Sequence, residues 1–209
     1  MVDGIIFDLD GTLWDATELV AVAWSRAAKK YTGVDPKFTK EQIGACLGKL
    51  LIDIAVMLFP DCTKEQHQEL IELCIEEEHK ELQVSSGVLY PGLEETLKEL
   101  KKTYPLYIVS NCQAGYIEDF LAATGFSHYF ADHLCPGDTG NPKGDNIMEI
   151  VEKHQMKSPV YVGDTQGDYE ATIKAKVPFI YAAYGFGEVE GYHKKIDSFC
   201  ELPTIMKEL

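Results

Sequence analysis

Phe7-Asp8-Leu9-Asp10-Gly11-Thr12 is the stretch that decides the fold of this 209-residue chain, because it joins an apolar run directly to two carboxylates. Residues 4–7 are apolar and β-compatible, as expected of a buried strand in a parallel sheet. If the chain stays extended through Leu9, the side-chain period of two places Asp8 and Asp10 on the same side. Gly11 permits a sharp turn after the strand. The stretch therefore predicts a strand that ends in an acidic site, although solvated acids at a strand end fit the same residues.

The composition is that of a globular protein with a strongly acidic balance. The formal net charge of −15 argues against a nucleic-acid polymer or an anionic membrane as partner, because both require a basic surface. A small anionic substrate is compatible with this charge if a bound cation reverses its sign locally. No apolar run approaches the roughly 20 residues that cross a bilayer, and the chain begins at once with the apolar strand. We therefore expect no export.

The six cysteines are scattered and contain no CxxC pair. Such a set is more typical of reduced thiols in the cytoplasm than of a disulfide framework or a zinc site. The histidines show no HExxH spacing and are interpreted as surface or packing residues. The sequence thus predicts a cytoplasmic protein and leaves open whether it is a monomer or a homodimer.

Strand and helix patterns alternate along most of the chain, which predicts an α/β fold with a parallel sheet flanked by helices. The predicted strands are residues 4–8, 106–110, 159–163 and 177–181. The predicted helices that follow them are residues 92–102, 113–124, 144–155 and 168–176. Because the strands lead through polar turn residues to helices, these segments are interpreted as βα units.

Residues 15–87 break this alternation. They show helical patterns, most clearly at Ala16–Tyr31 and Lys64–Leu82, and no convincing strand. Glu76-Glu77-Glu78 within that pattern is interpreted as a solvated face. The expected organisation is a small all-helical domain, residues 15–87, inserted into a core of residues 1–14 and 88–209.

Polar side chains follow the predicted strands at the edge where ligands bind in an open parallel sheet, beyond the C-terminal ends of the strands. The residues at this edge are Asp8, Asp10, Ser110, Asn111, Asp164 and Asp168, together with Lys143, which precedes a helix. Taken singly, each has an ordinary explanation such as helix capping or solvation. Those explanations do not account for the joint placement of all seven, which favours a catalytic site.

These residue types supply the parts that cleavage of a phosphate ester needs. Asp8 can attack phosphorus if a cation relieves the repulsion between carboxylate and phosphate, and Mg²⁺ prefers such oxygen ligands. Asp8 and Asp164 would hold the Mg²⁺. Lys143 adds a positive charge, and Ser110 with the N–H of Asn111 can bind a phosphoryl oxygen. The pattern predicts an aspartyl-phosphate intermediate.

Asp10 is the expected general acid and base of this reaction. It would protonate the departing alcohol and later take a proton from the hydrolytic water. A carboxylate bound to Mg²⁺ has a lowered pKa and is a poor proton donor. If Asp10 touches the metal at all, it should therefore do so through its backbone carbonyl.

With these motifs the chain resembles the haloacid dehalogenase superfamily, in the subgroup typified by phosphoglycolate phosphatases and β-phosphoglucomutases. The resemblance covers the whole chain and rests on Asp8-Leu9-Asp10-Gly11-Thr12, Ser110-Asn111, Lys143 and Gly163-Asp164 with Asp168. It implies a Rossmann-like core with a helical cap, Mg²⁺ dependence and Asp8 as the nucleophile. The implied metal ligands are Asp8, Asp164 and the carbonyl of Asp10, while Asp168 supports the metal site or binds the metal through water.

Two details refine the resemblance. Dehalogenating members lack the second acid of the first motif, so Asp10 favours phosphoryl chemistry. Lys143 is followed by Gly144, whereas many relatives have a proline directly after the lysine.

The helical cap is expected to select the leaving group. Lys49, in Cys46-Leu47-Gly48-Lys49, lies where relatives carry a substrate-contacting loop. It could bind an anionic leaving group such as a carboxylate, or be no more than an exposed lysine at a helix start.

The predicted function is a Mg²⁺-dependent phosphatase of a small phosphorylated metabolite, of the phosphoglycolate, sugar-phosphate or nucleotide type. A sugar-phosphate mutase uses the same motifs, and a phospho-acceptor signalling module combines similar residues around Mg²⁺, so both alternatives stay open.

Overall fold

The structure of the chain, a computed structural model, describes all residues from 1 to 209. It contains eight β-strands, numbered in chain order. They are β1 (Gly4–Phe7), β2 (Trp14–Asp15), β3 (Val88–Leu89), β4 (Leu106–Val109), β5 (Phe130–Leu134), β6 (Pro159–Gly163), β7 (Phe179–Ala182) and β8 (Lys194–Ile196).

Ten α-helices and two short 3-10 helices complete the fold. The α-helices are α1 (Thr17–Thr32), α2 (Lys40–Gly44), α3 (Leu51–Leu58), α4 (Lys64–Leu82), α5 (Leu93–Leu100), α6 (Tyr116–Thr124), α7 (Pro136–Thr139), α8 (Lys143–Lys153), α9 (Gln166–Ala175) and α10 (Leu202–Met206). The 3-10 helices are Phe126–His128 and Phe199–Glu201. None of the helices combines the length and the apolar character needed to cross a membrane.

Six strands form one sheet in the order β5-β4-β1-β6-β7-β8, and every neighbouring pair is parallel. β1 lies in the middle, where Ile5 is paired with Leu106 on one side and with Val160 on the other. Because the strands are parallel, the C-terminal ends of β1, β4 and β6 meet at one edge. The prediction of an α/β fold with a parallel sheet is confirmed.

Helices cover both faces of this sheet. Alternate residues of a strand point to opposite faces, and along β1 Ile5 and Phe7 belong to one buried apolar cluster while Ile6 belongs to another. The first cluster contains residues of α5, α6 and α10, and the second contains residues of α8 and is packed against by partly buried residues of α9. Burial on both faces explains the uninterrupted apolar run of the first strand.

Two strands of the sheet, β5 and β8, are not predicted by the sequence. They lie at the two edges of the sheet. β5 includes Asp132 and His133, and β8 begins with two lysines, so neither has the apolar run of a central strand. The strand predicted at residues 177–181 is displaced to Phe179–Ala182, because Lys176 ends α9 in the left-handed conformation with a φ of 58°.

Helices α1 to α4 lie between β2 and β3, which pair with each other as a two-stranded antiparallel link. Between residues 16 and 87 the structure contains no strand. α4 spans the predicted residues and begins at a capping box, in which Thr63 and Gln66 bond to each other's backbone N–H groups. The helix α4 packs against α1.

The glutamates of α4 correct one prediction. Glu76 is exposed, but Glu77 and Glu78 are only 2% and 4% exposed, so the interpretation of a solvated face is wrong for both. Glu77 is paired with lysines and an arginine on α1 and α4. Glu78 accepts hydrogen bonds from the side chains of Trp24 and Gln113. Burial of these acids is tolerated because each oxygen meets a donor.

Candidate active site

Three aspartates meet at the C-terminal edge of the sheet. Asp8 directly follows β1, Asp164 directly follows β6, and Asp168 lies in the first turn of α9. Each is fully buried, and one carboxylate oxygen from each lies within 4.8 Å of the others. The structure thus brings together three carboxylates whose positions in the sequence are up to 160 residues apart.

Lys143 joins two of these carboxylates. It is the first residue of α8, and its side chain is buried. Its ammonium group donates to Asp8 Oδ1 over 2.8 Å and to Asp168 Oδ1 over 2.6 Å. Burial opposes the charge on Lys143, but the two carboxylates outweigh that effect and raise its pKa. Lys143 is therefore a fixed positive charge beside Asp8.

Both carboxylate oxygens of Asp168 accept hydrogen bonds within the protein. Its Oδ2 accepts from the backbone N–H and the hydroxyl of Thr165 at 3.0 and 2.7 Å. Its Oδ1 accepts from Lys143 and, at 3.3 Å, from the hydroxyl of Tyr161. Thr165 and Asp168 form the capping box of α9. Asp168 thus holds the start of α9 and the Lys143 ammonium in place.

Asp164 is held by the loops around it. Its carboxylate accepts from the hydroxyl of Thr12 at 3.2 Å and from the backbone N–H of Phe186 at 2.7 Å. Gly11, at a φ of 83°, lies so close that a Cβ atom there would be 2.1 Å from Asp164 Oδ2. Glycine is required at this turn both for its backbone conformation and for the close approach of the carboxylate.

The three carboxylates fit a hard divalent cation. Lys143 supplies one positive charge for the three of them, and Asp8 Oδ2 is buried without a hydrogen-bond partner. Burial and the charge of Asp168 raise the pKa of Asp8 to about 6, and burial together with its acidic neighbours raises that of Asp164 well above its usual value. Excess buried negative charge on oxygen ligands is the condition that a bound Mg²⁺ or similar ion relieves. The Asp10 carboxylate is not one of this group.

Asp10 has a separate environment. Its Oδ1 accepts two hydrogen bonds of 2.9 Å, one from Trp14 Nε1 and one from the hydroxyl of Tyr116. Burial is the main cause that raises the pKa of Asp10 to about 8, and the charge of Asp8 adds to it. Two neighbouring carboxylates in such different surroundings are suited to different roles, one as an anion and one as a proton carrier.

Ser110 and Asn111 follow β4 at the same edge, and Ser110 is buried. Asn111 Nδ2 donates to the backbone carbonyl of Gly48 over 2.9 Å, which connects the sheet edge to the loop between α2 and α3. Asn111 Oδ1 is buried and has no hydrogen-bond partner. Lys49, the next residue of that loop, is exposed to solvent.

A small cavity of about 30 Å³ lies between Asp10 and the helices α1, α3 and α4. It holds no more than a water molecule or two. A groove of about 490 Å³ adjoins it, with Leu51, Asn111 and Gln113 lining both. The groove leads from the neighbourhood of Asp10 to the surface, between α3 and the loop after β4.

Comparison with known proteins shows the family to which this chain belongs. The family model of the haloacid dehalogenase-like hydrolases matches residues 5–182. The chain belongs to this family. It is 31% identical to the phosphoglycolate phosphatase of Photobacterium profundum, over 97% of this chain and 95% of that protein. It is 29% identical to the phosphoglycolate phosphatase of Vibrio cholerae, over 90% of this chain and 85% of that protein. A crystal structure of a predicted phosphoglycolate phosphatase from Haemophilus somnus superposes with a TM-score of 0.88 at 22% identity, covering 98% of each chain.

The prediction of an enzyme of the haloacid dehalogenase superfamily, related to phosphatases, is therefore confirmed. The Asp8-Leu9-Asp10-Gly11-Thr12 stretch lies within the residues that the family model matches. Membership in a hydrolase family also favours an enzyme over the signalling module.

Several residues of the site in this haloacid dehalogenase-like hydrolase are not found by reading the sequence. Tyr116 and Trp14 bind Asp10, yet no local pattern marks Tyr116, which lies 106 residues away from it. Trp14 lies four residues after Asp10, and its polar indole N–H in a tight turn is the one signal it offers. The T-x-x-D spacing of Thr165 and Asp168 is a readable capping box. The contact of Tyr116 with Asp10 joins distant segments, and no sequence pattern predicts it.

Proposed function

We propose that the chain is a Mg²⁺-dependent phosphatase that hydrolyses a small phosphomonoester through an aspartyl-phosphate on Asp8. The observation that carries the proposal is the separation of the two acids of the first motif. Asp8 lies with Lys143 and two further carboxylates, whereas Asp10 lies apart, bound by Trp14 and Tyr116. The relatives that are phosphoglycolate phosphatases support the reaction class.

In the first step the Asp8 carboxylate attacks phosphorus and the bond from phosphorus to the alcohol oxygen breaks. Asp10 transfers its proton to that oxygen, so the alcohol leaves neutral. Its raised pKa of about 8 supports this role, because Asp10 then carries a proton near neutral pH. The hydrogen bonds from Trp14 and Tyr116 go to Oδ1, which leaves Oδ2 to carry the proton.

In the second step water attacks phosphorus and the bond to the Asp8 oxygen breaks, which releases inorganic phosphate. Asp10, now ionised, takes the proton of that water and returns to its starting state. The donors on Oδ1 stabilise the carboxylate in the interval between the two steps.

Asp8, Asp164 and the carbonyl of Asp10 would hold the Mg²⁺, which supplies positive charge against the phosphoryl oxygens when it is bound. Lys143 keeps Asp8 ionised and oriented and adds a second positive charge. Ser110 and the Asn111 N–H would bind a phosphoryl oxygen, and Asp168 orients Lys143.

We also propose that residues 15–87 form a cap that moves relative to a core of residues 1–14 and 88–209. The β2–β3 link is the connection between the two parts. The cavity at Asp10 has room for little more than water, so a phosphate ester can enter only if the helices move away from the sheet.

In this proposal Lys49 contacts the leaving group at the cavity mouth, and the partner is a small phosphorylated metabolite. The six free cysteines support a cytoplasmic location.

A phosphate-release assay tests the proposed function. The panel contains 4-nitrophenyl phosphate, phosphoglycolate, sugar phosphates and nucleoside monophosphates, each with Mg²⁺ or with EDTA. We expect release with Mg²⁺ and none with EDTA, together with a rise in Tm when Mg²⁺ is added to the EDTA-treated protein, because the ion binds the folded state alone. Asp164→Asn should abolish that rise in Tm. Isomerised phosphosugar without free phosphate would point instead to the mutase, and no turnover of any ester would contradict both.

The role of Tyr116 makes a second prediction. Removal of its hydroxyl in Tyr116→Phe takes one donor from Asp10 Oδ1 and weakens proton transfer to the leaving oxygen. We expect kcat to fall by about tenfold to a hundredfold for an alkyl phosphate, which needs a proton. Turnover of 4-nitrophenyl phosphate should change little, because nitrophenolate leaves without one. A purely structural role would lower both rates equally, and Tyr129→Phe, at a tyrosine whose hydroxyl bonds Glu94 away from the site, is the matched control.

A further inference from the structure

We propose that the leaving alcohol is uncharged and carries a free hydroxyl group, and that Glu78 makes the enzyme discriminate against alcohols that carry a carboxylate. This inference rests on the proposed function, because it concerns the group that departs when Asp10 gives up its proton. That group has to lie within hydrogen-bond reach of Asp10. The cavity at Asp10 is therefore where its recognition takes place.

Glu78 is the acidic residue that the helices contribute to this cavity. It lies on α4 and is 4% exposed. One of its oxygens accepts from Trp24 Nε1 at 2.6 Å, and the other accepts from Gln113 Nε2 at 2.8 Å. Both oxygens therefore act as acceptors, and each has a lone pair left for a further donor. The proposed reaction does not use Glu78, so its presence in the cavity needs another explanation.

Asn111 is a second residue at this cavity that has a hydrogen-bond acceptor available to a ligand. Its Nδ2 is committed to the carbonyl of Gly48, which fixes the orientation of the amide. Its Oδ1 is left buried with no partner, and Asn111 is among the residues that line the same cavity. A buried acceptor without a donor is costly, and a ligand that brings a donor removes that cost. Glu78 and Asn111 thus present acceptors to the leaving group, and a hydroxyl of the alcohol supplies the donor that they need.

The cavity has few hydrogen-bond donors or cations that could stabilise a carboxylate on the leaving group. Trp24 and Gln113 already donate to Glu78. Lys49 is the only cationic residue among those that line the cavity, and its side chain is exposed to solvent. Its attraction for a second anion is screened by water and salt. Glu78, in contrast, is a buried carboxylate, and like charges repel strongly where water is excluded.

Two matched pairs of esters test the inference in the unaltered enzyme with Mg²⁺. The first pair is 2-hydroxyethyl phosphate and 2-phosphoglycolate, which differ only in a hydroxymethyl group against a carboxylate. The second is glycerol 1-phosphate and 3-phosphoglycerate. We expect kcat/KM to be at least about tenfold higher for the member of each pair that lacks the carboxylate, because a buried like charge opposes the other member. Equal values, or a preference for the carboxylates, would overturn the inference.

Variants of α4 then test the part played by Glu78. Glu78→Gln keeps the shape and removes the charge, and we expect it to reduce the preference within each pair about tenfold. Glu76→Gln, at an exposed position of the same helix, should leave the preference unchanged. An unchanged preference in folded Glu78→Gln would overturn the assignment to Glu78. If that variant does not fold, the pairs in the unaltered enzyme still decide whether carboxylates are rejected.

Turnover of 4-nitrophenyl phosphate distinguishes a failure of the proposed function from a failure of the inference on the leaving group. No release from it or from any other ester contradicts the proposed function itself. Turnover of 4-nitrophenyl phosphate without turnover of either pair, or without a preference between their members, overturns the inference on the leaving group and leaves the phosphatase standing.

Discussion

Asp8→Asn should lower kcat for phosphate release by at least about a thousandfold, since loss of a covalent nucleophile removes the main route of the reaction. An amide does not attack phosphorus at a useful rate, and no other carboxylate can take over. Asp168 has its oxygens bound by Lys143, Tyr161 and Thr165. The Asp10 carboxylate is held away from the cluster by its own donors.

The same substitution should not unfold the protein. Asp8 is one of three buried carboxylates that share Lys143, and burial and its neighbours raise its pKa to about 6. Replacing it with a neutral amide removes part of the electrostatic repulsion in the metal-free state. We therefore expect Tm in EDTA to be equal to or above that of the unaltered protein, while the gain in Tm from Mg²⁺ is reduced.

Asp53→Asn is the matched control, because Asp53 is an exposed aspartate on α3. It should alter neither phosphate release nor Tm. Full turnover by folded Asp8→Asn would exclude Asp8 as the nucleophile, whatever the control shows.

The position of the candidate site at the C-terminal edge of the sheet could be predicted because it follows from local sequence patterns. An apolar strand followed by polar residues is visible in the sequence, and parallel strands bring their C-terminal ends to one edge. Asp8 and Asp164 lie together in the structure for this reason, whereas Lys143 reaches Asp8 from the first residue of α8. The length of α4 was readable for a similar reason, since the Thr63 capping box marks its start.

The walls of the site could not be predicted, because they depend on contacts between distant segments. Trp24 and Glu78 are 54 residues apart, and Glu78 and Gln113 are 35 apart. Three consecutive glutamates on a helix are usually solvated. Whether one of them is buried depends on the donors that another helix and the loop after β4 bring to it. The edge strands β5 and β8 were missed because their charged residues hide the strand pattern.

Lys143→Met should have the largest effect on stability. The side chain is 3% exposed, and its removal leaves Asp8 and Asp168 buried without their shared cation. Loss of one partner of a buried ion pair costs about 3–5 kcal/mol, because the remaining charge is uncompensated. We expect the free energy of unfolding, measured by denaturant titration in EDTA, to fall by that amount. Phosphate release should also be lost, since Asp8 is no longer oriented or kept ionised by the ammonium.

The two effects of Lys143→Met can be separated by a second substitution. Asp168→Asn in the same chain removes one of the uncompensated charges, so the double variant should recover part of the free energy of unfolding. It should not recover phosphate release, because the positive charge beside Asp8 is still missing. Lys157→Met, at an exposed lysine, is the control and should change the free energy of unfolding by no more than about 0.5 kcal/mol. Recovery of both stability and turnover in the double variant would show that Lys143 acts only as a structural counterion, and would contradict its proposed role at the phosphoryl group.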